Sequence, residues 1–600
     1  MWWIGFLRHI AISDVSSAFT PFRSTLRAGL FSVSIFSFIV PLGPGVAQSN
    51  RSIVMVPMRD GVQLATELHY PENFNPPYTV ILKRTPYGKE RGDSDVRFFT
   101  ARGYLVAVQD VRGRGESEGE WGLFQINERE DGYDAVEWLA AQDWCTGKIG
   151  IIGGSYLGLT ALWTAAEKPP HLVTVVSNVT GGDPFGHHVF EGGLLRLEAL
   201  EVIEQYEGGR RRPASAFLSE YVDELRHLPV VALDRRIFGK EVQSWRSFAS
   251  HNLYDDFWDL SGFMEDLEKL EIPVFLQGGW FDSLTRGLKD NYLHLRKSES
   301  PYLKMIIGPW GHTNVGSASW GGQYFGDAAA LDLYELYGRW FDHWLRGVDT
   351  GILEEPLVQV YGIGLDRWLE ADTYPLPNTS FRKLYLTSGG DAHGPSGNGE
   401  LHWESPLAES DADMFTYDPA EPTPNLWFGG LEPYDEVIRT REDILVYETV
   451  PLAEDLIVAG PVSLELFAAT SALDTDWVVY WRVRSPDKEA FDLVGGGVLR
   501  ARFRESFRAP QLLEKNRVYQ YTVDLGHIGM GLPKGAVLRL EIASAAFPRF
   551  SRNLNTGGHN ELETDYVSAT QRIFHSQRYP THLLLPVLGG TSSRKSPTEP

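Results

Sequence analysis

The chain has 600 residues, 43% hydrophobic and 12% aromatic, enough for two or three domains with large cores. Its formal net charge of −24 argues against nucleic acid and anionic membrane surfaces as partners. A single cysteine, Cys145, excludes an intramolecular disulfide and any cysteine-based zinc or iron–sulfur site.

Residues 1–47 read as a signal peptide. Arg23 and Arg27 precede the apolar run Leu30–Leu42, which is short for a membrane span, and small residues around Ala47 suit a peptidase cut. An uncleaved anchor is the alternative. Cleavage implies export to a periplasm or the medium, with no stable membrane association afterwards.

From Ser52 to Arg346 strands and helices alternate. Val54–Pro57 and Gln63–Tyr70 flank the turn Arg59-Asp-Gly and predict a hairpin. Tyr78–Arg84 and Tyr104–Asp110 predict strands, the second apolar enough to be central. Asp131–Gln142 predicts an amphipathic helix with Tyr133, Val136, Leu139 and Ala140 on its apolar face. Cys145 lies between this helix and the next strand and reads as a buried structural thiol. Leu172–Ser177, Ile272–Gln277 and Tyr302–Ile307 are further apolar strands, and Leu331–Leu345 is a closing helix rich in Trp and Tyr. Such alternation predicts an α/β fold, a mainly parallel sheet covered on both faces. Residues 184–262, with polar helical runs such as Ala214–Leu225, break the rhythm and predict an inserted helical cap. After Gly347 the texture becomes all-β, beginning at Leu357–Tyr361, and fits a sandwich or jelly roll. The expected domains are therefore 52–183 and 263–347 for the α/β domain, 184–262 for the cap and 353–588 for the β domain. The tail Gly589–Pro600 is polar and predicts disorder.

The chemistry centres on Gly153-Gly-Ser-Tyr-Leu-Gly158. The run Lys148–Gly153 predicts a strand and Tyr156–Lys168 a helix, so Ser155 sits at a strand-to-helix turn framed by small residues, as a nucleophile elbow requires. The usual second glycine comes one place late. A serine nucleophile needs a base, and the base an acid to orient it. The two apolar strands after the cap end in Gly278-Gly-Trp-Phe-Asp282 and Gly308-Pro-Trp-Gly-His312, each placing one titratable group at a strand end in the order nucleophile, acid, base. Asp110 also ends a strand, but it precedes the serine, and Arg112 and Arg114 beside it suggest an ion pair. His187-His188 makes a weak metal pair, and His343 reads as a packing histidine. The Tyr156 amide supplies one oxyanion donor. The loop Thr85-Pro-Tyr-Gly can supply a second through Tyr87, although such a turn is commonly only a turn.

Together, Lys83-Arg-Thr-Pro-Tyr-Gly, Gln109-Asp-Val-Arg-Gly-Arg-Gly-Glu-Ser-Glu-Gly, Gly153-Gly-Ser-Tyr-Leu-Gly, Gly278-Gly-Trp-Phe-Asp and Gly308-Pro-Trp-Gly-His resemble the CocE/NonD serine hydrolases over about residues 52–585. That family includes cocaine esterase, α-amino acid ester hydrolases and glutaryl-cephalosporin acylases, and is related to X-prolyl dipeptidyl peptidases. The resemblance implies an α/β-hydrolase domain with a helical cap and a C-terminal jelly roll. It implies Ser155 as nucleophile, Asp282 as acid, His312 as base, and Tyr87 with the Tyr156 amide as oxyanion hole. No cofactor or metal is implied, and the oligomeric state stays open.

Members acting on α-amino acyl substrates carry acidic residues just after the triad aspartate, where this chain has Ser283-Leu-Thr; only Asp183 can stand in. Trp163, Trp280, Trp310 and Phe185 near the motifs suggest an apolar or aromatic acyl pocket. The expected activity is cleavage of small carboxylic esters, or amides, through an acyl-enzyme. The alternatives are an X-Pro dipeptidyl aminopeptidase, an α-amino acid ester hydrolase or acylase, and an inactive hydrolase carrying a β binding module.

Overall fold

The computed structural model describes residues 50–89, 94–124, 127–427, 431 and 433–589. The expected leader, and the expected disordered tail beyond Gly589, lie outside them. Ten strands form the first sheet: β1 Arg51–Pro57, β2 Gln63–His69, β3 Tyr78–Thr85, β4 Leu105–Asp110, β5 Cys145–Gly154, β6 Leu172–Asn178, β7 Val274–Gly279, β8 Leu303–Gly308, β9 Val358–Gly362 and β10 Arg367–Ala371. Their spatial order is β1-β2-β4-β3-β5-β6-β7-β8-β9-β10. Pairing is parallel from β4 to β9, and the β1–β2 hairpin and β10 are antiparallel margins.

Helices cover both faces, which is why the central strands read as unbroken apolar runs. On one face, α1 (Ser94–Ala101) and α6 (Leu333–Arg346) bring Phe99, Leu336, Trp340 and Phe341 against Ile81, Val106 and Ile152. On the other, α2 (Glu128–Ala140), α3 (Tyr156–Ala166) and α5 (Thr285–Leu295) join a core with Leu82, Leu105, Ile151 and Val175. In α2 the buried stripe is Gly132, Ala135, Val136 and Leu139, whereas Tyr133 and Ala140 are half-buried. Gly132 shifts the stripe toward itself, because a Cβ there would run into Thr164 of α3, so the two helices touch at the glycine. Cys145 is the first residue of β5 and only half-buried.

The strand expected at Leu357–Tyr361 is β9, and it belongs to the first sheet rather than to the β region. Met305–Ile307 of β8 pairs in parallel with Val358–Val360. The helix read as closing the domain, α6, is the crossover that makes this parallel addition possible. β9 and β10, which lie within the residues expected for the β domain, thus extend the first sheet. β10 then covers the new edge with Arg367 and Glu370 on its exposed positions, a common way to blunt a sheet margin.

Between β6 and β7 the chain forms short helices, including α4 (Ala199–Gly208), and a two-residue hairpin pairing Phe190–Glu191 with Leu194–Leu195. Past β10, eleven strands from Thr379–Thr387 to His582–Leu588 make the second sheet system, led by the long antiparallel pair Leu456–Thr470 and Tyr519–Leu532. All its pairings are antiparallel except Glu400–His402 with Leu445–Thr449. No described helix is long and apolar enough to cross a membrane.

The cap is fastened to the β region by backbone and buried charge. Leu197 N–H donates to Arg549 O (2.9 Å), Ser551 N–H to Leu195 O (2.8 Å), Val231 N–H to Glu561 O (3.0 Å) and Arg500 N–H to Gly192 O (2.8 Å). Arg500, 1% exposed, also donates to both oxygens of Asp476 (2.9 and 3.2 Å) and to Glu561 (3.1 Å), whose other oxygen accepts from Asn252 of the cap (2.7 Å). Replacing Arg500 by Ala leaves Asp476 and Glu561 buried without their cation. The expected cost is about 3–5 kcal/mol, read as a lowered urea midpoint of the wild-type unfolding transition; a change within error would show that the network does not hold the cap.

Candidate active site

Ser155 lies between β5 and α3 with φ 59° and ψ −126°, a backbone state that costs a non-glycine residue about 1–3 kcal/mol. Three hydrogen bonds hold it there: Ser155 N–H to Asn178 O (2.9 Å), Leu159 N–H to Ser155 O (3.1 Å) and Thr180 Oγ1 to Ser155 O (2.9 Å). The glycines follow from the packing. A Cβ on Gly153 would collide with the Leu157 carbonyl. A Cβ on Gly158 would stand 2.9 Å from Thr180 Cβ, 3.0 Å from Gly153 O and 3.0 Å from Ser177 Oγ. The second glycine is one place late because Gly158, not half-buried Leu157, faces β6.

The acid and base loops meet through equally small residues. Gly279 has no room for a Cβ because the Trp310 carbonyl passes over it. That closeness lets Phe281 N–H donate to Trp310 O (2.9 Å) and Trp280 N–H to Gly308 O (2.9 Å). The loops are thereby set side by side, and Asp282 Oδ2 reaches His312 Nδ1 at 3.0 Å. His312 Nε2 reaches Ser155 Oγ at 2.9 Å. Asp282 is buried, and its other oxygen accepts from Leu284 N–H (3.0 Å), so the carboxylate cannot turn away. Burial lowers the pKa of the imidazolium, but the hydrogen bond and charge of Asp282 outweigh it and hold His312 above its ordinary value.

The Tyr156 amide is the first N–H of α3, where no i−4 carbonyl exists to accept it. The Tyr156 side chain is buried and donates to Glu128 (3.3 Å), leaving only the amide for the site. Tyr87 is half-buried beside the same cavity. Tyr206 of α4 stacks on it (centroids 5.5 Å, 18°) and donates its hydroxyl to Tyr87 Oη at 2.8 Å. Arg114 ties the two together, donating to Pro86 O (2.9 Å) and Tyr206 O (3.0 Å) while lying over the Trp121 ring. Asp110, expected to pair with Arg112 and Arg114, instead accepts from Lys89 N–H (2.7 Å), Lys89 Nζ (3.3 Å) and Glu116 N–H (3.1 Å). Arg112 goes to Asp131 and Asp60. The aspartate therefore pins the loop that carries Tyr87.

Ser155, His312, Tyr87 and Tyr156 line one cavity of about 910 Å³ with walls from the sheet, the cap and the β region. Of the five pocket residues expected from sequence, Trp280 lines it, donating Nε1 to Tyr361 O (2.7 Å). The other four lie elsewhere. Trp163 is core and donates to Ser261 O (2.7 Å). Trp310 is buried beneath its own loop with Nε1 on Ala329 O (3.2 Å). Phe185 packs into an aromatic cluster with Phe190, Tyr254 and Trp258. Asp183 accepts from Gly186 N–H (2.9 Å) and starts the turn after β6. Tyr206 had no motif to reveal it; its only signal is a buried three-residue spacing with Leu200 and Ile203. Among the described residues no group of three or more His, Cys, Asp or Glu is arranged to hold a metal.

Residues 60–314 match the X-Pro dipeptidyl-peptidase (S15) family, and residues 350–584 match the X-Pro dipeptidyl-peptidase C-terminal non-catalytic domain. Cocaine esterase from Rhodococcus sp. (strain MB1 Bresler) is 30% identical over 90% of this chain and 99% of its own. An aminopeptidase from a marine sediment Thaumarchaeota archaeon superposes with a TM-score of 0.79 at 26% identity, covering 92% of this chain and 99% of that one. An α-amino acid ester hydrolase shares the fold, with a TM-score of 0.75 at 24% identity over 91% of this chain and 100% of that one.

The His312 environment predicts the pH dependence. A base must be neutral to act, so kcat/KM rises with pH through the His312 pKa, with a midpoint above about 6.5. In Asp282→Asn the raising influence is gone and burial still lowers the pKa, so the midpoint falls below the wild-type value and kcat drops by about 10⁴. An unmoved midpoint would separate the limb from His312.

Proposed function

The chain belongs to the CocE/NonD family of serine hydrolases, and on that premise we propose that it cleaves carboxylic esters through an acyl-enzyme on Ser155. The observation that carries the reading is the continuous chain Ser155 Oγ, His312 Nε2, His312 Nδ1 and Asp282 Oδ2, with links of 2.9 and 3.0 Å. His312 takes the Ser155 proton as Oγ attacks the substrate carbonyl. The oxyanion accepts from the Tyr156 N–H and the Tyr87 hydroxyl. His312 then passes its proton to the departing alkoxide, and the acyl-enzyme remains. Water, deprotonated by His312, attacks the acyl carbon, and Ser155 leaves with the proton returned. Asp282 keeps the imidazole tautomer and orientation through both halves.

Tyr206 orients the tyrosine rather than touching substrate. A phenol has one proton. Because Tyr87 Oη accepts from Tyr206, its own proton is free to point at the oxyanion. Cooperative polarisation along this pair strengthens that donation.

A second reading, a peptidase that releases dipeptides by their free N-terminus, is favoured by Glu201. Burial first, then the nearby Glu198 and Glu204, raise this cavity-lining carboxyl to about 7. An ammonium beside it would restore its charge. Turnover of Ala-Pro-p-nitroanilide in preference to p-nitrophenyl butyrate would establish that reading in place of the esterase.

Ser155→Ala should abolish fluorophosphonate labelling and reduce ester turnover by several orders of magnitude; full turnover would remove the serine from the mechanism. Tyr87→Phe should lower kcat by about 10–1000-fold with little change in KM. Tyr206→Phe should give a smaller kcat loss that disappears in the Tyr87→Phe background; additive losses in that double-mutant cycle would show that Tyr206 acts independently.

A further inference from the structure

The triad acid sits on a loop that the β region grips at both ends. Residues 279–285 close on themselves. The Thr285 hydroxyl donates to Gly279 O, Thr285 N–H donates to Asp282 O (3.1 Å) and Leu284 N–H donates to Asp282 Oδ1 (3.0 Å). A loop tied in this way moves as one piece, so whatever holds its ends holds the Asp282 carboxylate. One end is Trp280. Its ring packs edge-on against His527 (centroids 5.2 Å, 85°) and over Gly529, where a Cβ would stand 3.0 Å from it. The other end is Thr285, the first residue of α5, and its carbonyl accepts from His527 Nε2 at 2.9 Å. His527 and Gly529 belong to Tyr519–Leu532, the long strand of the β region.

These bonds fix the state of the His527 ring. A carbonyl only accepts, so Nε2 carries the proton and Nδ1 is left as the acceptor. Nδ1 lies 3.0 Å from the Tyr374 hydroxyl, which donates to it. Tyr374 is buried and is itself held from α5: its N–H donates to Tyr292 Oη (3.2 Å), and its carbonyl accepts from Arg296 (2.5 Å). The charged groups facing His527 are Lys289 and Asp290 of α5 and Asp524 of its own strand. Lys289 pairs with Asp524 (2.9 Å) and Asp290 (3.3 Å), and Asp290 also meets His187 (3.0 Å). Desolvation first, and the Lys289 ammonium second, outweigh the Thr285 carbonyl and the two carboxylates. They push the His527 pKa down to about 3. The ring therefore stays neutral, in one tautomer, over the range in which His312 titrates.

We propose that His527 is a positioning residue for the triad acid. On the serine-hydrolase reading above, it holds Thr285 and Trp280, the two ends of the acid loop, and so keeps Asp282 at 3.0 Å from His312. Tyr374 holds the ring that does so. Both residues lie in the stretch that matches a non-catalytic domain, and they act on the chemistry without touching the reacting atoms. His527 also lines the cavity, whereas Tyr374 does not, so the pair separates positioning of the acid from contact with substrate.

The test follows the pH midpoint of kcat/KM for p-nitrophenyl butyrate, which reports the His312 pKa. His527→Leu removes both hydrogen bonds of the ring. Its kcat should fall by about 10–100-fold, the scale of a misplaced catalytic group. Its midpoint should fall toward that of Asp282→Asn, because a displaced carboxylate raises His312 less while burial still lowers it. His527→Gln, whose amide N–H can reach the Thr285 carbonyl, should restore part of both. Tyr374→Phe should give a smaller fall in kcat and in midpoint, with KM little changed. In the Asp282→Asn background His527→Leu should cost little more, since no carboxylate charge remains to be placed. Wild-type midpoints in both His527→Leu and Tyr374→Phe, or a full further loss in the Asp282→Asn background, would overturn the positioning role and leave the hydrolase intact. If His527→Leu does not fold, the Tyr374→Phe midpoint decides alone. Absence of both ester turnover and fluorophosphonate labelling in the wild type would remove the hydrolase reading, and this role with it.

Discussion

The left-handed backbone of Ser155 is a strained state that persists because the packing around it leaves no alternative. Gly153 passes under the Leu157 carbonyl, Gly158 presses on Ser177 and Thr180, and Asn178 and Thr180 bind the serine's own amide and carbonyl. Holding the turn costs about 1–3 kcal/mol, a small amount beside the burial of α3, whose residues other than Leu157 are all inside. The cost is repaid in geometry. The hydroxyl lies 2.9 Å from His312 Nε2, and the first N–H of α3 has no acceptor within its own helix.

The remaining parts of the site are brought to that serine by contacts between chain segments far apart in sequence. The acid and base loops fit together because glycines at 279 and 308 let one backbone run against the other and against Trp310. The cap reaches Tyr87 through Tyr206, which Arg114 also holds. The β region in turn fixes the cap through backbone bonds to Gly192, Leu195 and Leu197 and through the Arg500 network. The β region is therefore a wall of the cavity and the anchor of another wall. Its Arg549 lines the cavity, more than two hundred positions beyond His312.

The strands and the triad were legible in the sequence because each depends on local order. Central parallel strands are buried on both faces and read as apolar runs. A strand followed by small residues and one titratable group marks Asp282 and His312 with no knowledge of their contacts. The same reasoning failed for Trp163, Trp310 and Phe185. An aromatic residue beside a catalytic motif has a neighbour in sequence, but its ring direction is set by packing, and these three turn into the core. At β9 the loss of helical texture comes before the first sheet ends, because the open edge of β8 still receives a parallel strand.

By itself, the sequence determined the alternation that makes a parallel sheet, the elbow at Ser155, the order of nucleophile, acid and base, and the family to which the chain belongs. All of these are properties of residue type and spacing along a single segment. Tertiary structure alone decided the Tyr206–Tyr87 hydrogen bond, the pairing of Asp110 with Lys89 and the gathering of Glu191, Glu198, Arg196, Arg286 and Arg549 in the cavity wall. Those are relations between segments, and their energies arise from burial and distance, which no single segment specifies.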